Sequence, residues 1–117
     1  MFDGYELNLE LDNALSANTE AIKQMENYGR SKAQKEAAYN VVLASTIAEL
    51  RANGEAASIV EKLAKGKKDV AAAYVDWQCE EALYTAAKEN VMLHKRRADV
   101  ARERMQREWA ATGGRAL

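Results

Sequence analysis

The sequence predicts an all-α protein: a small helical bundle or hairpin with one long C-terminal helix that can form a coiled coil. None of its 117 residues is proline, and no glycine occurs between Lys67 and Thr112, so a long stretch contains no helix breaker. Apolar residues in that stretch recur every seven positions, which is the coiled-coil repeat. Apolar residues make up 48% of the chain, and the length suits a single helical domain over residues 1–117.

The first predicted helix covers about residues 12–28. Apolar residues recur along it at spacings of four, seven and three, and we expect them to form its buried seam: Leu11, Leu15, Ile22 and Met25. Gly29 is expected to end this helix, because glycine is common just beyond a helix C terminus. Apolar and polar residues alternate over 5–11, which is also the pattern of a short strand.

Two further helices are predicted over about residues 31–52 and 57–65. The Asn53–Gly54 pair is a strong stop signal between them, and Gly66 follows the second. We expect both glycines to supply the backbone freedom that a corner requires. The face of helix 31–52 that is expected to be buried consists of Ala33, Ala37, Val41, Ala44, Ile47, Ala48 and Leu50. The short helix is expected to turn Ile59, Val60 and Leu63 inward.

The last predicted helix covers about residues 69–111, which corresponds to ~65 Å at 1.5 Å per residue. Val70 begins a heptad series on it, and a second series of alanine and polar residues follows three positions later. The heptad pattern predicts a seam that packs against other protein, including a second copy of the chain, so we expect a homo-oligomer. The residues assigned to this oligomer seam are Trp77, Tyr84, Val91, Ala98 and Met105.

Charge is distributed unevenly along the chain. Residues 1–28 contain six acids and one base, whereas residues 88–117 contain eight bases and four acids. The two ends could attract each other in an antiparallel hairpin or a head-to-tail oligomer, or the basic end could meet an acidic partner. Because arginine and tryptophan are enriched at binding hot spots, we assign a partner-binding patch to Arg96, Arg97, Arg102, Arg104, Met105, Arg107 and Trp109. The alternative for Trp109 is that it caps the end of the coiled seam.

Residues 49–80 fit either a helix-turn-helix that reads DNA or a corner between two helices. In a helix-turn-helix, the candidate contacts to nucleic acid would be Lys62, Lys65, Lys67 and Lys68. The following turns instead present acids at Asp76, Glu80 and Glu81. No arginine, asparagine or glutamine lies in the first two turns of the candidate reading helix to contact a base edge, since Gln78 comes later. We therefore interpret this region as a corner, with nucleic-acid binding by these lysines or by the basic C-terminal helix as the alternative.

The sequence contains no catalytic constellation, so we expect no enzyme, cofactor, metal site or small-molecule substrate. His94 has Asn90 and Ala98 as helical neighbours, which cannot orient it as a base, and we expect it to be buried and neutral. One histidine and the single cysteine, Cys79, cannot form a zinc site within one chain, and we expect that thiol to be buried. The longest apolar run is too short to span a membrane, and the N terminus lacks a signal-peptide pattern.

Several short motifs carry a family resemblance. An "AY" helix contains Ala38–Tyr39 and ends in Leu50–Arg51 before Gly54, a short helix ends in Leu63–Ala64 before Gly66, and "EALY" occupies 81–84. In this pattern the chain resembles small helical proteins of temperate phages of Gram-positive bacteria. The resemblance implies an early or accessory gene product in the cytoplasm of the bacterial host. It leads us to expect a non-enzymatic binding module that occupies the surface of a host defence component or a phage recombination protein.

Overall fold

Three helices make up the part of the chain that the structure, a computed structural model, describes, which is residues 4–113. Helix α1 covers Gly4–Ala52, α2 covers Ala57–Lys65 and α3 covers Lys68–Ala111. No strand occurs within 4–113, so the predicted all-α class is confirmed. The predicted domain, residues 1–117, includes a few residues at each end that lie outside the described range.

Helix α1 replaces the two helices predicted over 12–28 and 31–52. It passes through Gly29 without a break, so the predicted helix end there is wrong. A Cβ atom added at Gly29 would lie 3.1 Å from Cε1 of Tyr84. The glycine therefore serves the close approach of α1 to α3 and not the end of a helix. Residues 5–11 are helical as well, so the strand pattern noted there does not form a strand.

The described chain divides into two compact units. The first contains residues 4–25 of α1 and 86–113, which include the end of α3. The second contains residues 26–85, with the remainder of α1, all of α2 and the start of α3. Both units bring α1 and α3 together, so each can be understood as a pair of helical segments with its own core.

In the first unit the two segments run antiparallel, because Glu10 near the start of α1 pairs with Arg104 near the end of α3, at 3.1 Å between Oε2 and Nη1. The predicted seam of α1 is partly wrong, since Leu15 is exposed. The positions turned away from solvent follow spacings of four and three: Leu7, Leu11, Ala14, Asn18, Ala21 and Met25. Most fully buried residues here are small, namely Ala14, Ala21, Ala87, Ala98 and Ala101, which allows the helices to approach closely.

The second unit is built around three aromatic rings. The ring of Tyr39 on α1 lies 5.6 Å from that of Tyr74 and 5.4 Å from that of Trp77, centroid to centroid, and the rings of Tyr74 and Trp77 lie 5.9 Å apart. Helix α2 adds Val60 and Ala64 as buried residues. Offset and edge-to-face contacts of this kind stabilise a core beyond the apolar area that they bury.

The face of α1 that was predicted to be buried in this unit is largely exposed. Val41 is 69% exposed, and Ile47 and Leu50 are half-buried. The alanines of this face are also exposed: Ala33, Ala37, Ala44 and Ala48. The prediction failed because Tyr39, on the adjacent face, buries much more apolar area against Tyr74 and Trp77 than a row of alanines would.

The region between α1 and α3 is a corner with a defined geometry. The N–H of Gly54 donates to the carbonyl of Arg51 and that of Glu55 donates to Leu50, which together form a Schellman motif. Gly54 has a φ of +92°, whereas Gly66 has a φ of −83°, so only Gly54 needs the conformational freedom of glycine. Of the three α2 residues predicted to point inward, Val60 does so, but Ile59 and Leu63 are exposed.

Candidate functional site

The predicted oligomer seam of α3 lies against the chain itself. Val91 and Ala98 are buried within the first unit, and Met105 is half-buried there. Trp77 and Tyr84 are half-buried in the second unit, where Trp77 packs on Tyr39 and Tyr84 lies over Gly29. Self-association through this stripe would therefore have to displace α1 from α3.

The predicted partner-binding residues do not form one patch. Residues seven positions apart on a helix lie on the same side, so Arg97 and Arg104 share one flank of the α3 seam and Arg102 and Trp109 share the other. Met105 lies between them in the half-buried seam. The structure therefore divides the predicted patch into two separate surfaces.

The first surface, which we call the groove flank, consists of Leu93, Arg96, Arg97 and Val100 on α3. Together with Glu10 and Ala14 of α1 these residues line an open groove of about 210 Å³ in the first unit. Leu93 is 51% exposed and Val100 is 47% exposed, so the groove presents apolar side chains beside two guanidinium groups. Arg107 continues the row of Leu93 and Val100 by one further heptad.

The second surface, which we call the tryptophan flank, consists of Met92, Lys95, Arg102 and Trp109. The indole of Trp109 is 47% exposed and Met92 is 61% exposed. Arg102 forms an ion pair of 3.5 Å with Asp99, one turn away, which holds the guanidinium on this side of the helix. An aromatic ring, a thioether and two cations thus lie on one accessible side of α3.

The four corner lysines lie in the second unit and are all exposed: Lys62, Lys65, Lys67 and Lys68. Lys65 forms an ion pair of 3.1 Å with Glu61, and the hydrogen bond to that carboxylate raises the pKa of Lys65 above its ordinary value. Lys62 and Lys67 line an open groove of about 520 Å³ that also contains the carboxylate of Glu55. Acidic side chains thus interrupt the basic residues of the corner.

The two side chains that could take part in catalysis, those of Cys79 and His94, are less buried than the sequence predicted. Cys79 is exposed, so the prediction of a buried thiol is wrong; its side of α3 is not covered by any element within 4–113. His94 is half-buried, and its Nδ1 lies 3.4 Å from Nη1 of Arg97, a geometry in which the arginine donates. A guanidinium beside an imidazole does not orient it as a general base in the way a carboxylate would.

Sequence reasoning missed the exposed apolar members of both flanks, Met92, Leu93 and Val100. A signal for them was present, because Leu93, Val100 and Arg107 repeat every seven residues alongside the seam. Over residues 4–113, no cluster of three or more metal-ligating side chains occurs, and no helix is both long and apolar enough to cross a membrane. Comparisons of the chain with protein-family models, curated proteins and solved structures gave no match.

Proposed function

We propose that this chain is a non-enzymatic, oligomeric helical binding module that acts by occupying the surface of a partner protein. The observation that carries the proposal is the half-exposed indole of Trp109 beside Arg102 on the tryptophan flank. Tryptophan and arginine are the residues most enriched at binding hot spots, where an accessible ring fills a pocket of the partner and the guanidinium pairs with its polar rim.

The distribution of charge favours a protein partner over nucleic acid. The basic segment of α3 is interleaved with Asp99, Glu103 and Glu108. Within its described residues, 4–25 and 86–113, the first unit contains eight bases and eight acids and has no net positive charge. A surface that binds phosphates through counterion release needs clustered cations, whereas a protein interface tolerates mixed charges around an apolar centre.

The resemblance to phage proteins supports a class of target. An accessory protein made during infection acts in the cytoplasm of the bacterial host, and a rigid helical surface is suited to blocking a protein there. We propose a host defence component or a phage recombination protein as the target class.

A capture experiment from host lysate tests the proposal. The chain should retain one or more specific proteins, and the double variant Trp109→Ala/Arg102→Ala should lose them. Val41→Ala is the control, because Val41 is an exposed apolar residue on α1, outside the tryptophan flank. If the double variant captures the same proteins as the control, the tryptophan flank is not the binding surface.

Nucleic-acid binding is measured separately, with a salt series on wild type and on Arg96→Ala/Arg97→Ala/Arg102→Ala. We expect no DNA binding by wild type even at ~50 mM salt, where phosphate contacts are strongest. Binding that falls steeply with salt and is lost in the triple variant would favour the nucleic-acid alternative instead.

A further inference from the structure

We propose that the groove flank of α3 is a self-association surface, and that it binds the acidic side of α1 from a second copy of this chain. This inference rests on the proposed function, because it names the surface through which the oligomeric module assembles. The groove flank takes the place of the oligomer seam that the heptads predicted, because α1 of the same chain packs on that seam. It leaves the tryptophan flank of each copy free for another protein.

The first step is the segregation of charge within the first unit. Residues 4–25 of α1 contain four acids and one base, whereas residues 86–113 contain seven bases and four acids. Glu10 and Arg104 pair directly, so an acidic helix and a basic helix lie side by side. On the side of the unit marked by that pair, α3 presents Arg97, seven residues before Arg104. On α1, Glu20 is exposed at the same heptad position as Glu6, on the outer part of that side and further from the seam than Glu10.

Several of these charges have no partner within the described residues. Within 4–113, the side chains of Glu20, Arg96 and Arg107 make no hydrogen bond or ion pair, and all three are exposed. Arg97 contacts only the ring of His94, at 3.4 Å. The same side also exposes the apolar chains of Leu93 and Val100 above the open groove. A surface that binds this groove should therefore present carboxylates to the arginines and apolar or small residues to Leu93 and Val100.

The α1 segment of a second copy has this composition. Its positions facing the groove side include Glu6, Glu10, Asn13, Ala17 and Glu20, with carboxylates spaced along a small-residue centre. Because the acidic and basic rows are neighbours on one face, the face is complementary to itself, which is the requirement for a two-fold symmetric interface.

The charges also select the direction of the two-fold axis. An axis parallel to the helices places α1 of each copy on α3 of the other, so that acid meets base. An axis across the helices would place α1 on α1 and oppose like charges, which is unfavourable at an interface. Since Glu10 lies beside Arg104 in an antiparallel pair, Glu20 lies at the level of Leu93 to Arg97. With the parallel axis, Glu20 of one copy therefore faces Arg97 of the other.

Sedimentation of the purified chain over a range of concentrations tests the surface. We expect wild type to dimerise and Leu93→Glu/Val100→Glu to sediment as a monomer with unchanged helical circular dichroism, since both residues are half-exposed. Val41→Glu, a matched exposed substitution on α1 in the second unit, should dimerise like wild type. A monomeric wild type, or a dimer that survives the double substitution, would overturn the proposal.

A charge swap tests the axis. Glu20→Arg alone and Arg97→Glu alone should each weaken the dimer by about tenfold, which corresponds to ~1.4 kcal/mol, and the two together should restore it. No restoration would contradict the parallel axis. The sedimentation uses the purified chain and the capture experiment uses a lysate with substitutions at Trp109 and Arg102, so the self-association surface and the partner-binding surface can each fail alone. A monomeric wild type would overturn this inference and the oligomeric state in the proposed function, but not the binding of a partner protein. Loss of the dimer in Trp109→Ala would mean that the tryptophan flank, and not the groove flank, mediates self-association, and would overturn this inference.

Discussion

At the scale of single residues, Gly54 and Gly66, which look alike in the sequence, have different structural roles. Gly54 lies at φ +92°, in the left-handed region, whereas Gly66 lies at φ −83° in ordinary helical conformation. We expect Gly54→Ala to lower the free energy of unfolding by about 1–2 kcal/mol, because a Cβ atom is strained in that region. Gly66→Ala should leave it unchanged or raise it by up to about 1 kcal/mol. Urea unfolding of both variants measures the difference, and equal losses would contradict this assignment.

Gly29 offers a second test, because two effects oppose each other there. Alanine is favoured over glycine in a helix interior by about 1 kcal/mol, but its methyl group would lie 3.1 Å from Cε1 of Tyr84. Removing the ring should remove the second effect. We therefore expect Gly29→Ala to stabilise the protein by about 1 kcal/mol in a Tyr84→Ala background and by less in wild type.

The four proteins of this cycle are compared by urea unfolding. The same gain in both backgrounds would show that Tyr84 does not restrict residue 29, and that the glycine is not required for the approach of α3 to α1.

At the scale of helices, α3 was predictable from sequence and α1 was not, for one physical reason. The seam of α3 is marked by large residues such as Trp77, Tyr84 and Val91, which are apolar enough to identify the buried face. The seam of α1 in the first unit is occupied by Ala14, Asn18 and Ala21, and such small or polar residues give little periodic signal. Where the seam residues are small or polar, the buried face is decided by the packing of the partner helix, and the sequence pattern of α1 alone does not show it.

The interaction surfaces of α3 could be predicted to a similar extent. The arginines and Trp109 that composition singles out are exposed along the end of α3. Their division into two flanks depends on which side of α3 is occupied by α1, a contact between segments far apart in sequence, as the Glu10–Arg104 pair across 94 positions shows. The exposure of Leu93 and Val100 follows from the same packing. Their seven-residue spacing is visible in the sequence, but whether another helix covers that row is not.

Asn18 tests whether a polar residue in the α1 seam reduces stability. Its Oδ1 is buried and accepts no hydrogen bond from any residue in 4–113. Leucine has a similar branched shape, so we expect Asn18→Leu to raise the free energy of unfolding by about 1 kcal/mol or more, because a buried unsatisfied acceptor costs about 1–3 kcal/mol.

The control is Asn40→Leu, at an exposed position of the same helix, which gains the same helix propensity but relieves no buried acceptor. If both variants change stability equally in thermal or urea unfolding, the amide of Asn18 carries no such penalty.

At the scale of the whole molecule, the question is whether the chain unfolds as the single domain that its length predicts. The two compact units have unlike cores. The second contains the buried ring of Tyr39, which packs on the partly exposed rings of Tyr74 and Trp77, and aromatic side chains bury large apolar areas. The first is centred on residues such as Ala14 and Ala98, whose methyl groups bury far less apolar surface and therefore stabilise it less.

We expect hydrogen exchange to show two levels of protection. Backbone amides in 26–85 should open with a higher free energy than those in 4–25 and 86–111, because opening free energies follow the buried apolar contacts of each cooperative unit. Tyr39→Ala should lower protection mainly within 26–85, since the rings on which Tyr39 packs, those of Tyr74 and Trp77, belong to that unit. Mass spectrometry of peptic fragments resolves these ranges. If amides in 4–25, 26–85 and 86–111 are equally protected, and Tyr39→Ala lowers the protection of all three ranges by the same amount, the chain unfolds as one domain despite its two cores.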